Sequence, residues 1–163
     1  MLRITKVLLT LAVSAWGYVG ALFNLLDWSG TLDAVQRATS MSTFNQGASA
    51  WQATANPLLI WIGALFILLS KLAAAMLCLI GAGRMWRARA TDSATFEASK
   101  DLALAGCGVA LLMLFGGFIV VAESYFELWR SDALRGPVLE SAFRYAACIA
   151  AIGLYVGMRE PQQ

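Results

Sequence analysis

Four apolar runs are long enough to cross a lipid bilayer, and they constrain the fold more than any other feature of this sequence. They cover about residues 7–26, 57–82, 102–122 and 143–158. A hydrocarbon core of about 30 Å needs about 20 helical residues, so the last run needs residues from Val138 onward to reach across. The sequence therefore predicts an all-α polytopic membrane protein, a four-helix transmembrane bundle in a single domain over residues 1–163.

Composition agrees with a lipid environment. Hydrophobic residues make up 60% of the chain and charged residues 13%, against about 45–50% and about 25% in soluble domains. A globule of this size has too little polar surface to cover so much apolar material. The net charge of +2 is too small to favour a nucleic-acid partner.

The residues that most enzymes and metal sites use are scarce. The chain has no histidine, which excludes histidine-ligated metals and Ser-His or Cys-His nucleophiles. Its three cysteines, Cys78, Cys107 and Cys148, lie in apolar runs without a CxxC motif, and we expect them to be buried packing residues. The sequence thus predicts no metal, no cofactor and no enzymatic activity.

The first run has two interpretations. Arg3 and Lys6 precede it, as in a secretory signal peptide. Its apolar stretch is long for that role, so we interpret it as a retained membrane anchor.

The distribution of Lys and Arg predicts the orientation. Apart from Lys71, one side of the membrane would hold seven basic and four acidic residues, and the other four basic and six acidic. Both termini and the loop 83–101 are therefore predicted to be cytoplasmic. The extracytoplasmic loop 27–56 is too apolar for a plain linker, so we expect it to fold back over the bundle as short helices. Its second half, "QGASAWQATANP", is expected to be helix leading into the second span.

Each span carries a stripe of small residues, the pattern by which helices pack closely in lipid. The candidate packing residues are Ser14, Gly17, Ala74, Gly106, Gly117, Gly153 and Gly157. The last two form a GxxxG in "GLYVG", which faces either a sister helix or another chain. These stripes support an up-and-down bundle.

Lys71 is the clearest candidate functional residue. It lies thirteen residues from Arg84 and fourteen from Pro57, which puts it about 20 Å from either end of its helix. Its side chain reaches only about 6 Å, so snorkelling to the surface is hard, and no Asp or Glu lies at matching depth. Intramembrane charges usually face a packed interior or a water-filled cavity. The alternative is a purely structural contact with hydroxyls such as those of Ser14, Tyr18 or Tyr155.

Two further groups of residues are candidate surfaces. The first is a charged extracytoplasmic mouth, made of Glu123, Glu127, Arg130, Glu140 and Arg144. The pairs Glu123–Glu127 and Glu140–Arg144 have i,i+4 spacing, and Glu123 is placed to meet Arg144 across the third and fourth helices. This mouth is either a structural salt-bridge cap or a functional surface, namely a gate or a docking surface. The second group, Arg84, Trp86, Arg87 and Arg89, is predicted to anchor the chain at anionic lipid headgroups.

Several segments together resemble a known family. They are "MLRITKVLLTLAVSAWGYVGALFNLLDW", "LCLIGAGRMWRARATDSATFEASK", "GGFIVVAESYFELW" and "SAFRY". The chain resembles a bacterial family of predicted small integral membrane proteins, a domain of unknown function, over nearly its whole length. The resemblance implies a four-span inner-membrane protein and supplies no established activity.

Two functional hypotheses remain open. The first is a non-catalytic accessory or assembly subunit that binds another membrane protein or a second copy of itself. The second is a small transporter or channel for a small solute or anion, with Lys71 in a cavity at the middle of the membrane. The lipid bilayer is a partner in either case.

Overall fold

The computed structural model describes residues 2–159, and every regular element within that range is helical. The long helices are α1 (Leu2–Leu26), α3 (Pro57–Ala88), α5 (Asp101–Leu111) with its continuation Leu112–Tyr125, and α6 (Ser141–Gly157). Two shorter helices are α2 (Trp28–Thr39) and α4 (Ser93–Ala98). Four helical stretches are long and apolar enough to cross a membrane. The predicted fold class, a four-helix transmembrane bundle with a partly helical first loop, is confirmed.

Local side-chain contacts determine where the helices begin. The Asn56 side chain accepts a hydrogen bond from the Leu58 amide at 2.9 Å, and Pro57 occupies the first helical turn, where its missing N–H costs nothing. Asp27 and Asp92 cap α2 and α4 in the same way. Because Thr95 donates both its amide and its hydroxyl to Asp92, the pKa of this carboxyl lies below its ordinary value.

The helices extend beyond the apolar runs. α1 begins at Leu2, α3 continues to Ala88, and the last span begins at Arg135. Hydropathy marks only the part of a helix inside the hydrocarbon, whereas the backbone hydrogen bonds continue through the headgroup region.

The continuation of α5 is wider than an α-helix. Leu112–Tyr125 winds as a π-helix, in which each amide bonds the carbonyl five residues earlier. The same step recurs at its end, where the Phe126 amide donates to the Val121 carbonyl at 3.0 Å. π-turns are rare and are frequent at functional sites, and this one forms a wall of the cavity described below.

The first loop folds over the bundle, and one prediction about it is wrong. α2 lies against α3, with the Trp28 and Trp61 rings 5.5 Å apart. However, "QGASAWQATANP" contains only the three-residue 3₁₀-helix Gly47–Ser49 and a turn from Ala50 to Ala53, and it does not lead helically into α3. The reason is local, because the residue before a proline is disfavoured in the helical region and Asn56 is extended.

The bundle has two distinguishable ends. We call the end that carries Leu2, the segment 89–100 and Met158 the terminal end, since Arg3 and Lys6 contact these segments there. The opposite, loop end carries α2 and the segment 126–140, where the rings of Trp51 and Tyr125 meet at 5.9 Å.

Candidate functional site

A cavity of about 860 Å³ occupies the half of the bundle nearer the loop end. Its walls come from the end of α1, from α2, from the first half of α3, from the π-helix and from the segment 126–138. Most of its lining is apolar, including Phe66, Ile67 and Phe118. The volume lies within the range of about 300–1,000 Å³ that is typical of small-molecule sites.

Lys71 lines the deep part of this cavity. Its ammonium donates a hydrogen bond to the Asn24 side-chain oxygen at 2.8 Å. Its stem passes close to Gly20, where an added Cβ would lie 3.3 Å from the lysine Cδ. The hydroxyls of Ser14, Tyr18 and Tyr155, named as alternative contacts, do not accept this hydrogen bond, because the amine extends along α1 to an amide side chain instead.

The ammonium lies nearer the loop end than the Lys71 backbone does. Its backbone lies mid-span, opposite Gly17, but Nζ lies between Gly20 and Asn24. Those residues are three and seven positions beyond Gly17, or about 4–11 Å along the helix axis. The side chain thus extends from the middle of its span toward the loop end, where the cavity lies.

The polar groups at this point have spare donors. An ammonium carries three N–H donors, and one of them meets Asn24. Because lysine is donor-only, the Asn24 oxygen must face it, so the Asn24 amide NH₂ turns away with no acceptor among residues 2–159. Within the same residues, no carboxylate lies within 4.0 Å of Lys71. The cavity therefore ends in a cluster of unsatisfied donors.

The predicted charged mouth is not one network. Arg130 pairs with Glu127 at 2.7 Å and lies 4.7 Å from the Phe44 ring centroid. Arg144 donates to Ser141 at 3.0 Å. The expected meeting of Glu123 with Arg144 does not occur among the described contacts, and Glu140 has no ion pair there either.

Glu123 and Glu127 were expected to share a helix face because of their i,i+4 spacing, but the backbone does not continue as a helix between them. The π-helix ends at Tyr125, and Glu127 adopts a left-handed conformation with φ of 49°. Glu123 and Glu127 therefore do not share a helix face.

The small residues mark the close helix contacts. Ser14 donates to the Ala75 carbonyl at 2.8 Å, and a Cβ at Gly17 would lie 2.8 Å from the Lys71 carbonyl oxygen. A Cβ at Gly106 would lie 2.9 Å from the Cys78 amide nitrogen.

The remaining predicted packing residues lie in looser surroundings, apart from Ala74, which is fully buried. A Cβ built at Gly117 would lie 3.0 Å from the Phe66 ring. A Cβ built at Gly153 would lie 3.5 Å from Cys107, and one at Gly157 would lie 3.7 Å from Leu104, both on α5. The GxxxG therefore lies against a helix of the same chain.

The predicted headgroup residues lie together at the terminal end. Arg84, Trp86, Arg87 and Arg89 are all exposed. The Arg89 guanidinium stacks 4.0 Å from the centroid of the Trp86 ring. Of the cysteines, Cys78 and Cys107 are buried as expected, whereas Cys148 is exposed on α6, so its predicted burial is wrong.

Sequence reasoning missed the role of two buried lysines. Lys6 and Lys100 are 3% and 2% exposed, and both donate to the Met158 carbonyl, at 2.6 and 2.9 Å. Lys100 also pairs with Glu97 at 2.7 Å. Cations stabilise a helix C-terminus because its last carbonyls carry partial negative charge. Here the two cations come from α1 and from the residue just before α5. Applying the same rule to lysines on neighbouring segments would have predicted this contact from the sequence.

These features define an integral membrane protein with four membrane-spanning helices and a cavity in one half of the bundle. The chain belongs to the family described as predicted small integral membrane protein (DUF2165), whose model matches residues 2–159. No curated protein and no solved structure matches the chain.

Proposed function

We propose that the chain is a non-catalytic membrane protein that acts as an accessory or assembly subunit, binding another membrane protein or a second copy of itself. The observation that carries this proposal is an aromatic patch at the loop end, formed by the rings of Trp51 and Tyr125. Trp51 is 86% exposed although its ring lies only 5.9 Å from that of Tyr125. Trp129 is also exposed.

The chemistry of the patch supports a protein contact. Exposed Trp and Tyr are frequent at interfaces because they bury a large apolar area and keep one polar atom. The neighbouring Glu127 and Arg130 neutralise each other at 2.7 Å, so the patch presents apolar surface beside a paired charge. The excess of Lys and Arg at the terminal end supports a cytoplasmic location of both termini in a bacterial inner membrane.

Purification from native membranes in a mild detergent, followed by mass analysis, tests this proposal. We expect a stoichiometric partner or a second copy to accompany the wild type. Replacing Trp51→Ala is expected to reduce its recovery at least tenfold, since interface tryptophans often contribute 2 kcal/mol or more (about 30-fold).

The matched control is Trp86→Ala, which removes an exposed tryptophan from the opposite end of the bundle. It should leave the recovery unchanged. A wild-type chain that comes off the column alone as a monomer contradicts the proposal.

The cavity favours a second candidate, a small transporter for an anion. A solute would have to pass from the cavity toward the terminal end. There α1 and α3 are in close contact, through Gly17 with the Lys71 carbonyl and through the hydrogen bond from Ser14 to Ala75. Transport therefore requires α1 to move against α3. In proteoliposomes loaded with small carboxylates such as acetate and succinate, we expect Lys71→Ala to abolish the flux. A flux that Lys71→Ala leaves unchanged rules out this role for the lysine.

A further inference from the structure

The donors at the deep end of the cavity point to a ligand with an anionic acceptor. Lys71 Nζ and the Asn24 amide both carry N–H groups without partners among residues 2–159. A carboxylate has two oxygens and about four lone-pair sites, so it is able to accept from both groups at once. Charge-assisted hydrogen bonds of this kind are about twice as strong as neutral ones.

We propose that this cavity is a binding site for a long-chain carboxylic acid. The carboxylate lies against Lys71 and Asn24, and the hydrocarbon chain lies along the apolar walls. This site goes beyond the proposed subunit role and does not depend on it, because the aromatic patch lies outside the cavity lining.

The walls suit a single hydrocarbon chain. Beyond the donors, the lining is formed mainly by apolar side chains and glycines, among them Phe66, Ile67, Gly116 and Phe118. Several lining residues also keep a large exposed area, including Phe23, Ile62 and Leu112. The cavity is therefore not sealed, which gives a membrane-dissolved acid a route in.

The roof of the cavity disfavours an ordinary phospholipid. α2 covers the cavity on the loop side, where Val35 lies 3.0 Å from a Cβ built at Gly63. Its charged pair, Arg37 with Asp33 at 2.9 Å, is exposed. The segment 126–138 adds the apolar residues Leu128 and Leu134 to the wall. This leaves mainly apolar surface on the loop side of the cavity, where a phospholipid headgroup would need polar partners.

Asp27 is the other charged residue of the lining. Its carboxylate is engaged as the cap of α2, accepting from the Gly30 amide at 3.0 Å. It lies farther than 4.0 Å from Lys71. It therefore leaves the lysine free for an external anion, and its own charge favours a ligand whose acid group stays at the Lys71 end.

Equilibrium binding of radiolabelled oleate to the whole purified chain in detergent tests this site. We expect oleate to bind saturably. Oleyl alcohol has the same chain and no charge, and we expect it to displace oleate at least tenfold more weakly. Lys71→Met is expected to weaken oleate binding about tenfold to a hundredfold, as for the loss of a charged hydrogen bond, and to leave binding of the alcohol nearly unchanged. Equal affinity for acid and alcohol, or wild-type oleate binding by Lys71→Met, overturns the proposal.

A second pair of variants tests the location without altering a charge. Gly116 lines the cavity, and a Cβ there meets nothing within 4 Å, so Gly116→Leu fills the space without a backbone clash. Gly108 has the same open surroundings and lies outside the lining, so Gly108→Leu is the matched control. We expect Gly116→Leu to reduce oleate binding at least tenfold and Gly108→Leu to leave it unchanged.

A photoreactive fatty acid gives an independent readout in the wild type. Peptide mapping after irradiation should place its adducts on cavity residues such as Ile67 and Phe118. Adducts spread evenly over the outer surfaces of α1 and α6, or complete displacement by phosphatidylglycerol at the same concentration, would indicate general lipid contact and contradict the site. Loss of a protein partner in the Trp51→Ala experiment leaves all of these outcomes unaffected, so the two proposals fail separately.

Discussion

Gly106→Ala is expected to lower the free energy of unfolding by about 1–3 kcal/mol, the usual cost of inserting a group into a packed core. A Cβ at this position would lie 2.6 Å from Cys78 Sγ, 2.9 Å from the Cys78 amide nitrogen and 3.0 Å from the Ala74 carbonyl oxygen. Two of these atoms belong to the backbone of α3, so they move only if the helices separate. The measurement is thermal unfolding in detergent, followed by the loss of helical circular dichroism.

The control for this prediction lies two residues away on the same helix. Gly108→Ala adds the same methyl group where nothing lies within 4 Å. Alanine favours a helix over glycine by about 1 kcal/mol, so the unfolding temperature of this variant should stay the same or increase. Opposite signs for the two substitutions are the expected result. Equal effects would contradict the close α3–α5 contact.

Lys100→Met is expected to lower the free energy of unfolding by about 1.5–3 kcal/mol, the range for hydrogen bonds to charged groups. The lysine is 2% exposed and donates to both Glu97 and the Met158 carbonyl. Methionine keeps the length and apolar stem but removes every donor, so the C-terminal end of α6 loses one of its two cations. Thermal unfolding measures the global effect, and proteolysis of the region near Met158 reports on fraying of this helix end.

Arg87→Met is the matched control for the buried lysine. It removes a cation from the same end of the bundle, but the Arg87 side chain is exposed. Exposed charges typically contribute less than about 1 kcal/mol, so little change is expected. If Lys100→Met is as mild as Arg87→Met, the bonds to Met158 do not stabilise α6.

The helices were predictable because the bilayer imposes a length that hydropathy reveals. The start of α3 at Pro57 and its cap by Asn56 follow from neighbouring residues alone. The non-helical residues before it agree with the same Asn-Pro dipeptide, although helix was expected over "QGASAWQATANP". Contacts between residues close in sequence are therefore readable, provided that backbone restrictions are given more weight than propensity.

The partner of Lys71 was harder to predict. Asn24 is 47 positions away in the chain, and its contact with the amine depends on how far α1 and α3 slide along each other. Helical spacing gives the face that a residue occupies but not this register. The same limit applies to the charged mouth, where Glu127 leaves the helix in a left-handed conformation and pairs with Arg130 instead of extending a helical face.

By itself the sequence determined that the chain is a four-span helical membrane protein, because the length of apolar runs and the cost of charge in lipid are properties of the chain alone. Tertiary structure decided the register of α1 on α3, the cavity beneath α2 and the two lysines that meet at Met158. Each of these depends on atoms from distant segments approaching within a few ångströms. Such distances follow from the packing of whole helices, which no single segment specifies.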